Sequence, residues 1–245
     1  MYMLNKKETY NLKKIKDKEF ILYHHLGLGD HIICAGLVNY LSNNYKTIHL
    51  PVKRQNLQNV NFLYENNSSV STFIVDIEDD DILKYSKKVD LKILKIGFRK
   101  RGKPFNSGFY KQINLPYDIS FNNFGYKRDI PKEINLYKHL SSEHNVNTNY
   151  CLVHAESSLG DADLKIRNDI PVIYIKKETD IYNNIFLYMK LIEEAQEIHC
   201  IDSSFIHLVE RSETKAKLFF HNIKNNKIKG ANLELVKNWE IIDYL

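Results

Sequence analysis

Residues able to do chemistry gather in three short stretches of this chain. The first is Phe20 to Ala35, which reads FILYHHLGLGDHIICA. An apolar, β-rich run ends at His24 and His25. Gly27-Leu28-Gly29 follows, then Asp30 and His31, then an apolar stretch with helical spacing. Strand, glycine turn and helix together aim backbone N–H groups and a helix N-terminus at a ligand, often an anionic one. Asp30 at the head of that helix suits a plain cap. It equally suits a general base that takes a proton from an acceptor hydroxyl. His24, His25 and His31 raise the question of a metal. Adjacent strand residues point to opposite faces, however, so no metal is expected there.

The second stretch is Cys200-Ile201-Asp202-Ser203-Ser204-Phe205-Ile206-His207. A strand ends in Asp-Ser-Ser and a helix begins. Ser203 and Ser204 can cap the helix or offer hydroxyl and N–H groups to a diphosphate. His207 falls about one helical turn further on. The third stretch opens at another strand end, His154-Ala155-Glu156-Ser157-Ser158. It continues to Lys165 and Arg167, two cations suited to a leaving phosphate or to an ordinary charged loop.

Positioning these groups requires alternating strands and helices. Strands are predicted at 20–24, 47–51, 72–76, 91–96, 150–154, 172–175, 198–201 and 217–221. Helices are predicted at 30–42, 55–64, 81–87, 131–140, 183–195 and 203–211. The acidic Glu78-Asp79-Asp80-Asp81 run suits a helix N-terminus. Residues 99–126, rich in Gly, Pro and aromatics, read as a loop-rich crossover with one short helix at 108–113. Residues 141–149 read as a polar linker. The tail from Leu233 has apolar residues at helical spacing and is predicted to be a final helix. Alternation of this kind implies parallel sheets covered by helices.

The 245 residues are 43% hydrophobic, enough for a real core and unlike a disordered chain. No apolar run approaches the ~18 residues of a membrane span. The N-terminus lacks the apolar core of a secretory signal. Three cysteines stand far apart in apolar runs with no CxxC pair, which fits buried thiols in a reducing, cytoplasmic compartment. The net charge of +5 is spread among interspersed signs. It fits phosphate-bearing ligands or peripheral contact with an anionic membrane surface, and no nucleic-acid partner is expected.

Several enzyme classes are excluded by motif. Gly27 and Gly29 supply GxG, but the third glycine of a dinucleotide fingerprint would fall at Ile32. The acidic residue expected ~20 positions on is also missing. There is no GxxxxGK[ST] phosphate loop and no GxSxG elbow around a serine.

Taken together, the three stretches resemble the two-domain GT-B glycosyltransferase architecture, most closely its heptosyltransferase-like branch. Gly29-Asp30 matches that branch's Gly-Asp before the first helix. Asp202-Ser203-Ser204 through His207 matches its C-terminal Asp, small-residue pair and His. The stretch from residue 184 to 207 is also similar to small glycosyltransferase-like proteins of viruses and bacterial polysaccharide clusters.

The resemblance implies an α/β fold of two compact Rossmann-like domains facing a cleft. The boundaries would be 1–128 for the acceptor domain and 129–230 for the donor domain. Residues 231–245 would form a helix packing back on the first domain. It implies an inverting, metal-independent glycosyltransferase that uses a nucleotide-diphosphate sugar and a glycan or glycolipid acceptor, with no cofactor. Asp30 would be the base, with His25 or His31 as the alternative. Gly27, Gly29, His154, Lys165, Arg167, Asp202, Ser203, Ser204 and His207 would hold the donor. A non-catalytic nucleotide- or glycan-binding module on a degenerate transferase fold is the competing expectation.

Overall fold

The computed structural model describes residues 12, 18–98, 104–146, 148–157, 160–164, 166, 169–223 and 232–244. The chain divides into two compact α/β units, Met1–Lys127 and Arg128–Leu245.

The first unit is built on a four-stranded parallel sheet in the order β3-β2-β1-β4. Its strands are β1 (Glu19–Tyr23), β2 (Thr47–Lys53), β3 (Val70–Val75) and β4 (Ile93–Lys95). Phe20 to Tyr23 is apolar without alternation because both faces of the central strand are covered. The helices are α1 (Leu28–Ser42), α2 (Leu57–Tyr64), α3 (Glu78–Val89), α4 (Phe105–Gln112) and α5 (Ile119–Asn122). The acidic run opens α3, where Asp81 Oδ2 accepts from the N–H groups of Asp76 and Ile77, each at 2.8 Å.

Helix α1 is buried on nearly all sides. The Tyr110 hydroxyl of α4 donates to Ile33 O (2.7 Å) and accepts from Leu37 N–H (3.1 Å). Ser120 of α5 also donates to Ile33 O (2.9 Å). The region expected to be mostly loop thus holds two helices, drawn onto α1 by these bonds. Gly36 makes the approach possible, since a Cβ there would sit 2.4 Å from Ile119 O. Ala normally outranks Gly in a helix by ~1 kcal/mol. Here Gly36→Ala is expected to reverse that sign and destabilise by about 1–3 kcal/mol through overpacking. Urea unfolding checks this, and a more stable variant would refute the close approach.

The second unit carries a five-stranded parallel sheet in the order β11-β10-β9-β5-β8. Helix α6 (Ile130–Glu143) leads into β5 (Cys151–His154), and a small hairpin of β6 (Glu156–Ser157) and β7 (Gly160–Asp161) follows. Then come β8 (Val172–Ile175), α7 (Met189–Glu194), β9 (Glu197–Cys200), α8 (Ser204–Glu210), β10 (Lys217–Ile223) and β11 (Trp239–Tyr244). The long helix predicted over 183–195 is instead a 3-10 turn, Ile185–Tyr188, running into the short α7. Asn183 takes a left-handed φ of 48°, and the Asn184 side chain accepts from Phe186 N–H at 3.0 Å, so the helix cannot start earlier.

The tail corrects a second expectation. Residues 239–244 form a parallel edge strand on β10 of their own unit, not a helix. The buried carboxylate of Glu210 captures this segment. It accepts from Val236 N–H (2.8 Å), Lys237 N–H (3.1 Å) and the Trp239 indole N–H (2.6 Å). Glu210→Ala is expected to orphan all three donors and cost about 2–4 kcal/mol. Faster amide exchange confined to 236–244 would mark it. Unchanged exchange there would show that β11 is held by its ladder alone.

Candidate functional site

In an open parallel sheet, ligands bind beyond the carboxyl ends of the strands, where the strand order reverses. The first sheet reverses between β1 and β4, and the second between β5 and β9. The first of the three polar stretches begins at the first of these points, and the strand-end residues of the other two, His154 and Asp202-Ser203, meet at the second.

At the first, Tyr23 is in register with Lys95, and His24 and His25 follow directly. His25 is partly exposed. Its Nε2–H donates to Gly97 O at 3.0 Å, and its ring lies 4.2 Å from Phe98 and 5.6 Å from Phe105, centroid to centroid. Burial lowers its pKa below the ordinary imidazole value. Gly97 has a φ of +85°, and a Cβ on it would lie 2.2 Å from the Phe109 ring. The glycine therefore lets the aromatic wall close behind His25.

His24 turns the other way and is fully buried, its ring edge-on to His31 at 4.6 Å. Its Nδ1 meets the His25 carbonyl, whereas its Nε2 and both His31 nitrogens have no hydrogen-bond partner. Desolvation pushes His24 down to about 4 and His31 well below the ordinary value, so both rings are neutral.

Asp30, in the first turn of α1, reaches back to the N-cap residue, where Gly27 N–H donates to Asp30 Oδ2 at 3.0 Å. Gly27 is needed for space, because a Cβ there would lie 2.6 Å from that oxygen. Gly29 lies inside the first helical turn, so Gly27-Leu28-Gly29 is a helix start and not a separate turn. The edge also carries cations that the motif reading passed over. Lys53 pairs with Glu78 (2.7 Å), and Lys95 pairs with Asp79 (2.8 Å) while lying 4.4 Å from the Phe98 ring centroid. The available signal was positional, since both lysines are the last residues of their strands.

At the second reversal, His154 ends β5 in register with Cys200 of β9. The Ser203 hydroxyl lies 3.2 Å from His154 Nδ1 and accepts from Phe205 N–H at 3.3 Å. Ser203 donates to Nδ1 when the His154 proton is on Nε2 and accepts from it when the proton is on Nδ1, since a hydroxyl oxygen has two acceptor lone pairs. The His154 ring stacks on Phe205 (4.9 Å, 7° between planes), and burial brings its pKa to about 4.

Asp202 is exposed, though the protein packed around it raises its carboxyl above the ordinary range. Ser204 opens α8 and is partly exposed. His207 is brought into the core rather than to the edge. It is 4% exposed, its Nδ1 has no hydrogen-bond partner, and burial with the nearby Arg211 charge takes it to about 3. Lys165 and Arg167 lie outside the described residues.

No family model matches this sequence. No curated protein matches it either. Among solved structures, the chain is similar to the crystal structure of the glycosyl transferase family 9 protein from Veillonella parvula DSM 2008. The TM-score is 0.54 over 93% of this chain and 86% of that one, at 9% identity. A likeness at that identity is one of fold: α/β, with parallel sheets flanked by helices. Among the described residues, no helix is long and apolar enough to cross a membrane.

Proposed function

We propose that the protein is an inverting glycosyltransferase. It would move a sugar from a nucleotide-diphosphate donor to a hydroxyl of a glycan or glycolipid, with no metal at the reacting centre. Support comes from a fold like that of a protein titled as a glycosyl transferase, and from polar side chains at both strand-order reversals. The observation that carries the reading is the Ser203–His154 pair, which sequence places far apart and the β5–β9 pairing joins.

In this reading the second unit holds the donor. In the tautomer in which Ser203 donates to Nδ1, the Nε2–H of His154 donates to a diphosphate oxygen. The Ser204 hydroxyl adds a second donor, and Asp202 accepts from hydroxyls of the ribose or sugar. Lys165 and Arg167 neutralise the leaving diphosphate, the role a metal fills elsewhere. His207 supports α8 from the core side. The first unit supplies the base, Asp30 or His25, and the N–H groups of Leu28 and Gly29 at its rim.

A thermal-shift panel of nucleoside mono- and diphosphates tests the donor assignment. One diphosphate at about 100 times its Kd adds about 2.7 kcal/mol and is expected to raise Tm by roughly 5–10 °C. Ser203→Ala and His154→Phe should each reduce that shift. A flat panel would overturn the donor site. Binding without transfer or donor hydrolysis would favour the non-catalytic module.

A further inference from the structure

The amino edge of the second sheet, opposite His154 and Ser203, holds a group that the proposed reaction does not use. Cys151 opens β5 and Glu197 opens β9, directly in register, while His199 stands two residues along β9. Residues two apart share a sheet face, so all three side chains project to one side. Their ligand atoms lie within 4.8 Å of one another. Cys151 is fully buried, and His199 is 5% exposed. The Glu197 side chain is 17% exposed, so the group touches solvent at its carboxylate.

His199 is held as a metal-binding imidazole is held. Its Nδ1 lies 2.8 Å from His221 Nε2, and His221 Nδ1 lies 2.8 Å from the Tyr244 hydroxyl. Its ring stacks on Phe219 at 4.4 Å. Its Nε2 is buried with no hydrogen-bond partner, and Glu197 Oε2 lies 3.7 Å from it. A buried ring nitrogen left this way is costly unless something else satisfies it. If Nδ1–H donates to His221 and His221 donates to Tyr244, the Nε2 lone pair faces the carboxylate. A ring fixed through its far nitrogen with its near one open is the second-shell arrangement of metal sites.

We infer that Cys151, Glu197 and His199 form a site for a zinc-type divalent ion, with His221 and Tyr244 orienting the imidazole. Thiolate, imidazole and carboxylate together select a borderline-soft dication, and three protein ligands leave a fourth position for water. Binding displaces the Cys151 proton to solvent, giving a thiolate-to-metal bond. The ion bridges β5 and β9, and through His221 and Tyr244 it braces β10 and β11. The site is separate from the proposed donor site and stands or falls independently of it.

The test is titration of the chelator-stripped full chain with Co²⁺ under a non-coordinating reductant. One equivalent is expected to give a thiolate charge-transfer band and tetrahedral d–d absorption. Zn²⁺ should displace it and raise Tm. Cys151→Ser should lose the charge-transfer band. His221→Phe should keep the band but bind about 10–100-fold more weakly. Glu197→Gln, at a partly open side chain, serves as the check if Cys151→Ser fails to fold, and it too should weaken binding. No saturable band in the wild type would overturn the inference. So would a band that survives Cys151→Ser, or wild-type affinity in both Glu197→Gln and His221→Phe.

Discussion

Between pH 6.5 and about 4 the protein is expected to lose stability steeply, well before ordinary carboxylate titration. The cause is a set of imidazoles held neutral by burial. His24 and His154 are pushed down to about 4, His207 to about 3, and His31 lower than the ordinary value by a wide margin. Unfolded, each regains a pKa near 6.5. In that window the unfolded chain binds more protons than the folded one, so stability rises with pH. It is fully present above about pH 6.5 and is lost as pH falls toward the folded values. Each such histidine contributes a slope of about 1.4 kcal/mol per pH unit. The three with stated values give on the order of 4 kcal/mol per unit, against a typical total of 5–15. The acid midpoint should therefore lie near pH 5 for a total at the low end of that range, and lower for a larger one. His24 and His31 sit in the first unit and His154 and His207 in the second, so both units should respond. Chemical denaturation at pH 7.5, 6.5, 5.5 and 4.5 measures the slope, and His207→Gln should flatten it. Constant stability from pH 7.5 to 5 would refute the buried-neutral assignment.

Those histidines show what the sequence could and could not reveal. The strands read at 20–24, 47–51 and 150–154 from their apolar content fold as Glu19–Tyr23, Thr47–Lys53 and Cys151–His154. The tail WEIIDY satisfied two periods at once. Its apolar spacing fits a helix, and its β-branched and aromatic content fits a strand. Long-range bonds decide the outcome: Glu210 to residues 236–239, and His221 to Tyr244. Helix α5 and the β6–β7 hairpin were invisible for a related reason. Four-residue and two-residue elements carry no period, and α5 exists because Ser120 and Gly36 meet.

The candidate site divides the same way. Gly27, Asp30, His154 and Ser203 were each legible from strand-end position. That Ser203 touches His154 across 49 residues depends on which strands pair, and local pattern does not encode that. Burial was equally hidden. His25 and His207 look alike on the page, yet one is partly exposed against Gly97 and the other lies in the core.

Asp30→Asn is expected to lower turnover by about 10²–10⁴-fold, the usual worth of a positioned base, while leaving donor affinity nearly intact. The substitution suits the question because Asn keeps an oxygen to accept from Gly27 N–H, so that bond at the start of α1 survives. Loss of activity would then report chemistry and not a frayed helix. The capping bond also makes the role contestable, since one carboxylate oxygen is already occupied. His25 offers the alternative. Its Nε2–H is committed to Gly97 O, which leaves the Nδ1 lone pair as proton acceptor, and burial keeps the ring neutral at pH 7. A pH profile would separate the two poorly, because acid unfolding of the fold itself occupies the same window. Substitution separates them. If Asp30 is the base, His25→Gln should cost less than about tenfold, since it removes only a wall of the pocket. If His25 is the base, the two effects should exchange size. Equal loss of turnover and donor affinity in Asp30→Asn would show that Asp30 shapes the helix start and takes no proton. Steady-state kinetics on both variants, beside their Tm values, distinguishes all three outcomes.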